Sequence, residues 1–223
     1  MNEHVLVVLP HPDDESYGVA GLIALKRKAG IPVTYACGTL GEMGRNMGSP
    51  LFANREVLPL IRKRELEDAC KAMDVTDLRM LGLRDKTLEF EDIEEFADRI
   101  ESIIDEVKPT LVVTFYPDHG VHPDHDATGR AVIHALRRIP ADQRPVTYCI
   151  AITKNREEVL GQPDVVLDIR EAAEIKLQAL KAHRSQTEGL MKQLEESFKK
   201  GGPQLMNFFE SESYYHYKWD AEA

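Results

Sequence analysis

Histidines and carboxylates gather at two places in the sequence, each directly after a short apolar run. Residues 5–9 are apolar without helical periodicity, which is typical of a buried strand, and residues 11–15 read His-Pro-Asp-Asp-Glu. Pro10 and Pro12 end that strand, because proline lacks a backbone donor and fixes φ. An acidic turn that caps a helix would explain the acids through the helix dipole, but not the histidine or the prolines. An imidazole beside three carboxylates indicates a divalent cation held next to a carboxylate base.

The second cluster follows another predicted strand, at residues 110–115. Residues 116–126 read Tyr-Pro-Asp-His-Gly-Val-His-Pro-Asp-His-Asp. In an open parallel sheet the carboxyl ends of the strands share one edge, and ligands bind in the crevice there. We therefore expect the two clusters to meet at a metal site, since histidine and aspartate are usual ligands of divalent cations.

A catalytic zinc ion takes three protein ligands and keeps one position for water. His11 and Asp14 can both reach one ion from a tight turn after the first strand. The spacing leaves open whether the third ligand is His122 or His125, and whether Asp13 or Asp14 is the base.

Composition limits the class of protein. The chain has 223 residues, 43% of them hydrophobic, and a formal net charge of −10. That length suits one α/β core, and the negative charge predicts no attraction to nucleic acid or to a membrane surface. No apolar stretch approaches the roughly 20 residues that a spanning helix needs, and the amino terminus has no secretory pattern. The three cysteines, which form no Cys-x-x-Cys pair, are typical of buried thiols in a cytoplasmic protein; they are Cys37, Cys70 and Cys149.

Strand and helix patterns alternate along the chain. We predict helices at residues 16–29, 55–73, 93–107, 128–138, 171–183 and 186–199, and strands at 31–37, 78–83, 146–152 and 165–167 besides the two above. This alternation predicts an α/β fold with a Rossmann-like, mainly parallel sheet sandwiched by helices, as a single domain over residues 1–223.

Two segments fall outside this alternation. The glycine-rich loop at residues 38–54 is long enough to be functional, and Arg45 in it is a candidate for gripping a polar or anionic substrate. Residues 214–219 form an aromatic tail whose alternatives are an edge strand, an oligomer contact or simple packing, of which we favour packing.

Jointly and in this order, the two motifs resemble those of the LmbE/PIG-L family of zinc-dependent N-acetylglucosamine deacetylases. The resemblance extends over nearly the whole chain, including Arg-Lys-Arg-Glu at residues 62–65 and His-Arg-Ser-Gln at 183–186. It implies roles for six residues of the two motifs and a supporting role for two further residues. His11, Asp14 and His125 would ligate zinc, Asp13 would be the general base on the metal-bound water, and His122, oriented by Asp124, would stabilise the oxyanion. His183 and Gln186 would support the site.

The resemblance also suggests a substrate. The loop at residues 41–46 and the chain length are most similar to those of the bacillithiol-pathway deacetylases, which remove acetate from N-acetylglucosaminyl-malate. An anionic malate would explain Arg45 and Arg62 near the pocket. A small acetamido sugar as substrate, a homo-oligomer, and Zn²⁺ with Fe²⁺ or Mn²⁺ as alternatives complete the expectation. Relatives that act on the mycothiol precursor have a tyrosine at the position of Gly120, for which Tyr116 or His119 would have to substitute.

Other functions compete with this one. Related enzymes deacetylate N-acetylglucosamine or chitooligosaccharides, or cleave bacillithiol conjugates as amidases. A non-hydrolytic nucleotide-binding α/β module is a further class, weakened because no Gly-x-Gly-x-x-Gly follows the first strand. A non-haem iron oxygenase shares the ligand types, but it would have no clear use for Asp13.

Overall fold

The computed structural model describes residues 3–200 and 207–219, and its centre is one seven-stranded sheet. The strands are β1 (Val5–Leu9), β2 (Val33–Cys37), β3 (Asp77–Met80), β4 (Leu111–Phe115), β5 (Val146–Ile150), β6 (Val165–Asp168) and β7 (Ser211–His216). Their spatial order is β3-β2-β1-β4-β5-β7-β6. The first five strands pair in parallel, and β7 runs antiparallel to both of its neighbours.

Helices cover both faces of this sheet. They are α1 (Asp14–Gly18), α2 (Ala20–Lys28), α3 (Leu58–Ala72), α4 (Ile93–Val107), α5 (Pro123–Arg137), α6 (Arg156–Leu160), α7 (Ala173–Ala182), α8 (Arg184–Lys200) and α9 (Asn207–Glu210). Among the residues described, no helix is both long and apolar enough to cross a membrane.

The middle strands are buried on both faces, which explains their uninterrupted apolar sequences. Leu6 and Val8 of β1 pack with residues of α4 and α5 on one face. Val5, Val7 and Leu9 pack with residues of α2 and α3 on the other. All five residues of β1 are buried, because helices on each side of a parallel sheet leave neither face to solvent. The predicted fold class, a single α/β domain with a mainly parallel sheet, is confirmed.

Two helices differ most from the prediction. The predicted helix at residues 16–29 begins earlier and breaks at Val19, where φ is −138°. The buried carboxylate of Glu212 accepts hydrogen bonds there from the amides of Gly21 (2.9 Å) and Leu22 (2.8 Å), two of the donors in the first turn of α2. Helix α5 begins at Pro123 rather than at residue 128, because proline is well suited to the first turn of a helix.

The aromatic tail lies inside the sheet. Strand β7 is inserted between β5 and β6, so the alternative of an edge strand was wrong. Tyr214 and Tyr215 are buried in this strand, which agrees with the packing role that we favoured. The three cysteines are free thiols and are buried, as predicted.

Candidate metal centre and active site

The topology of the sheet brings the two motifs together. Strands β1 and β4 are adjacent and parallel, so the turns after them meet at the same edge. His11 lies in the turn after β1, Asp14 is the first residue of α1, and His125 lies in the first turn of α5. The distance between Nδ1 of His11 and Nε2 of His125 is 3.3 Å. Oδ2 of Asp14 lies 3.4 Å from that Nδ1, and Oδ1 of Asp14 lies 3.3 Å from that Nε2.

This spacing places three donor groups within reach of one zinc ion. Zinc binds nitrogen and oxygen at about 2.0–2.1 Å, so adjacent ligand atoms of a regular tetrahedron lie about 3.3–3.4 Å apart. Two imidazoles and one carboxylate are also a ligand set found in catalytic zinc sites. The residues that the resemblance named as ligands are therefore brought together in a geometry that a divalent cation can occupy.

Neighbouring groups fix the tautomer of each candidate histidine ligand. Nδ1 of His125 lies 2.7 Å from the carbonyl oxygen of Gly120, to which it donates. Nε2 of His11 lies 3.1 Å from Oδ2 of Asp124 and 3.3 Å from Oδ1 of Asp85. These partners hold the proton on the outer nitrogen of each ring and leave the inner nitrogen free to bind a cation.

The carboxylates around His11 stabilise a positive charge in the cluster. Burial disfavours protonation of His11, yet hydrogen bonds with Asp124, Asp14 and Asp85 outweigh burial and raise its pKa well above the usual value. Burial opposes ionisation of Asp14 too, but His125 and His11 lower its pKa. The carboxylates around His11 are thus balanced by a positive charge, which either a proton or a metal ion can supply.

Asp13 lies beside the candidate ligands with the properties of a general base. Burial raises its pKa to about 6 against the opposing charge of Arg62, and the neighbouring Asp14 adds to the rise. Its φ of 108° is rare outside glycine, and its amide donates to Oε2 of Glu15 at 3.0 Å. A base with a pKa near the working pH is both available and strong enough to take a proton from water.

Arg62 is directed at the protein rather than into open solvent. The side chain of Arg62 is only 4% exposed, and its guanidinium lies 3.2 Å from Oδ2 of Asp13. It also donates to the carbonyl oxygens of Gly41, at 2.9 Å, and Pro12. Arg62 borders the cavity, but these contacts make it a positioning partner of Asp13 and of the glycine-rich loop.

His122 caps helix α5 and is held by backbone. Its Nδ1 accepts a hydrogen bond from the amide of Asp124 at 3.1 Å, so the ring proton resides on Nε2. Burial and the nearby charge of His11 lower the pKa of His122. The carboxylate of Asp124 contacts His11, while the Asp124 amide is the group that donates to His122. An orienting role of Asp124 for His122 stays a prediction.

A fully buried ion pair supports the first motif from behind. Oε1 of Glu15 lies 2.5 Å from Nε2 of His183, and the other oxygen of Glu15 accepts from the amide of Asp13. The segment at residues 183–186 is anchored by Glu65, which accepts hydrogen bonds from the amide and the hydroxyl of Ser185, both at 2.6 Å. The segments at residues 62–65 and 183–186 therefore meet each other behind the site.

A cavity of about 640 Å³ opens above the candidate ligands. Its polar wall includes Asp13, Arg45, Arg62, Asp85, Lys86, His122 and Gln186, and its apolar wall Tyr17, Met43, Phe115, Ile150, Ile152 and Phe208. Sequence reasoning did not single out Asp85 or Lys86, although they follow β3 at the same sheet edge. It also missed Tyr17 and Phe208, for which the sequence carries no signal that we recognise.

The position of the missing family tyrosine cannot carry a side chain here. A Cβ atom on Gly120 would lie 2.4 Å from Cβ of His125. Neither candidate replacement lines the cavity. Tyr116 packs against Tyr217, and Nδ1 of His119 lies 2.8 Å from Oγ1 of Thr153.

The fold and the site together are those of an α/β protein with a candidate metal centre. Its histidine and aspartate donors lie at the carboxyl edge of the parallel sheet, where proteins of this class bind their ligands. The chain belongs to the PIG-L family, whose model, described as "GlcNAc-PI de-N-acetylase", matches residues 6–136.

Sequence relatives match nearly the whole chain. It is 69% identical to a Bacillus subtilis (strain 168) protein named "Probable N-acetyl-alpha-D-glucosaminyl L-malate deacetylase 2", over 99% of this chain and 100% of that protein. A Bacillus cereus protein of the same name is 57% identical over the same shares. Among solved structures, the N,N'-diacetylchitobiose deacetylase from Pyrococcus horikoshii matches with a TM-score of 0.72 and 23% identity. That match covers 96% of this chain and 84% of the other, and it shows a shared fold.

Proposed function

We propose that this protein is a metal-dependent deacetylase that hydrolyses the acetamide of N-acetylglucosaminyl-malate in bacillithiol biosynthesis. The observation that carries the proposal is the position of Asp13, a half-buried base of raised pKa that lines the same cavity as the three candidate ligands. The high identity to proteins named for that reaction supports the substrate.

His11, Asp14 and His125 would hold the cation, for which we favour Zn²⁺ over Fe²⁺ or Mn²⁺. When bound there, a divalent cation supplies Lewis acidity, which polarises a carbonyl group and makes a water molecule more acidic. This chain's own residues carry the proton transfers and the positioning.

Asp13 takes a proton from the attacking water, whose oxygen bonds to the acetamide carbon. Nε2–H of His122 donates to the negative charge that develops on the carbonyl oxygen, and it does so as a neutral imidazole. When the carbon–nitrogen bond breaks, Asp13 returns its proton to the leaving nitrogen, which leaves acetate and a free amine. Arg62 holds Asp13 in place through these steps.

The cavity fits this substrate class. A volume of about 640 Å³ falls within the range of small-molecule sites. Tyr17 and Phe208 offer apolar surface for a sugar ring. The carboxylates that line the cavity, those of Asp13, Asp14 and Asp85, disfavour a directly bound phosphate. The nucleotide-binding alternative is therefore the weaker one.

The test is release of acetate and amine from N-acetylglucosaminyl-malate and, in parallel, from N-acetylglucosamine. It compares the metal-loaded wild type, Asp13→Asn and a chelated wild type. We expect the malate conjugate to be preferred, and kcat to fall by about 10²–10⁴-fold in Asp13→Asn because general-base catalysis is lost. An Asp142→Asn control removes an exposed carboxylate away from the cavity and should behave as wild type.

Two results would change the proposal. Preference for the simple sugar would keep the mechanism and move the substrate to amino-sugar deacetylation. No amine release from any acetamido sugar by the metal-loaded wild type would refute the deacetylase function.

The proposal covers residues 1–223 as one deacetylase domain that works in the cytoplasm as a homo-oligomer. Three buried free thiols are consistent with a reducing compartment. Leu51, Val57 and Leu60 are exposed and offer an apolar surface to a second copy. Light scattering on the purified protein tests the oligomer, and a monomer at all concentrations would contradict it.

A further inference from the structure

Among the residues described, two cationic side chains on the cavity wall have no partner. Arg45 and Lys86 both line the cavity and are exposed. Within the part of the chain that the structure describes, neither side chain makes a hydrogen bond or an ion pair. Arg62 differs, because its guanidinium is already engaged by Asp13 and two carbonyl oxygens. Arg45 and Lys86 are therefore the cations that remain available to a ligand.

The two cations belong to loops that are bonded to each other. The amide of Met43 donates to Oδ2 of Asp85 at 2.7 Å. The amide of Asp85 donates to Oε2 of Glu42 at 3.2 Å. Arg45 follows Met43 by two residues and Lys86 follows Asp85 directly, so both belong to one joined wall of the cavity.

Lys86 is fixed to the candidate metal centre through its backbone. Its amide donates at 2.7 Å to Oδ2 of Asp124, the oxygen that contacts His11. Its φ is 67°, a left-handed conformation that disfavours residues with a side chain. A long cationic side chain at such a position, beside the site, suggests that the side chain is used there.

The adjoining side of the site carries paired charges. A second cavity of about 430 Å³ shares Tyr17 and Gln186 with the main one. Its described lining residues include no lysine or arginine, but the carboxylate of Glu188 lies 3.8 Å from Nζ of Lys192. Lys192 is thus already paired, whereas Arg45 and Lys86 stay available to an anionic group attached to the sugar.

We propose that Arg45 and Lys86 together bind the carboxylates of the group attached to the sugar, and so select an anionic conjugate over neutral N-acetylglucosaminides. This inference rests on the proposed function, because it assigns the recognition of malate to two residues of the same site. It also moves malate recognition from Arg62 to Lys86.

The experiment measures kcat/KM for N-acetylglucosaminyl-malate and for the neutral methyl N-acetylglucosaminide, and compares their ratio. The variants are Arg45→Met, Lys86→Met, the double variant, and Lys86→Arg, which restores the charge. Lys63→Met is the matched control, because Lys63 is an exposed lysine outside the cavity. We expect the ratio to fall about five- to tenfold for each charge removed, mainly through KM. The Lys86→Arg variant should regain most of it.

An unchanged ratio in the double variant would overturn the inference even if the enzyme deacetylates the conjugate well. Direct binding separates this failure from failure of the proposed function. Titration calorimetry of N-acetylglucosaminyl-malate with metal-loaded Asp13→Asn, with and without the double substitution, needs no turnover. Suppose that binding depends on the two cations but the metal-loaded wild type does not deacetylate the conjugate. That result would refute the proposed function and keep the inference.

Discussion

Nε2 of His11 lies 3.1 Å from Oδ2 of Asp124, although 113 residues separate the two in the chain. The same carboxylate accepts from the amides of Lys86, at 2.7 Å, and Leu88, at 3.2 Å. Asp124 thus joins the turn after β1, the loop after β3 and the start of α5. A carboxylate behind a histidine ligand fixes the ring and raises its basicity.

Asp124→Asn tests this relationship. The amide side chain keeps the shape but removes the charge and one acceptor, so the orientation of His11 weakens. We expect the affinity for Zn²⁺ to fall by about 10–100-fold, measured by competition with a chromophoric chelator. Asp142→Asn, which removes an exposed carboxylate, is the control. An affinity equal to that of the wild type would contradict the role of Asp124.

Gly41→Ala tests the placement of Arg62. A Cβ atom on Gly41 would lie 1.8 Å from Nη1 of Arg62, so the guanidinium must move away from Asp13. Gly30→Ala is a matched control, because Gly30 also has a positive φ but has open space around its Cα. We expect each change to lower the free energy of unfolding by about 1 kcal/mol through backbone strain. Only Gly41→Ala should also lower kcat, by about tenfold or more, because the base is displaced. Equal kcat values in the two variants, with thermal unfolding measured alongside, would show that Arg62 does not position the base.

Glu15→Ala tests the buried pair with His183. Removing one partner leaves the other in a fully buried site, and we expect the free energy of unfolding to fall by about 3 kcal/mol or more. Urea titration measures the change. Glu171→Ala breaks the exposed pair with Lys28 and should leave the stability nearly unchanged. A similar small effect for both variants would mean that the Glu15–His183 pair does not hold the first motif.

Local patterns sufficed to predict much of the fold. The apolar runs of β1 and β4 have no polar face, and that pattern alone indicates a sheet covered on both sides. Two motifs at strand ends then had to share one edge, which is why the cluster of His11, Asp14 and His125 was within reach of sequence reasoning.

The remaining details depend on tertiary geometry. Strand β3 is only half-buried and short, so its pattern did not mark the following Asp85 and Lys86 as site residues. Asp124 turns its carboxylate to His11 and its amide to His122, and spacing along the chain does not carry that information. The break at Val19 depends on Glu212, a residue almost at the other end of the sequence.

The central claim is that one divalent cation, held by His11, Asp14 and His125, enables hydrolysis with Asp13 as the base. The most direct measurement titrates metal-free protein with Zn²⁺ and follows acetate release from N-acetylglucosaminyl-malate. We expect no release without metal, a linear rise with added Zn²⁺, and a plateau at about one equivalent per chain. Full activity in the chelated protein, or a plateau unaffected by His125→Ala, would contradict it.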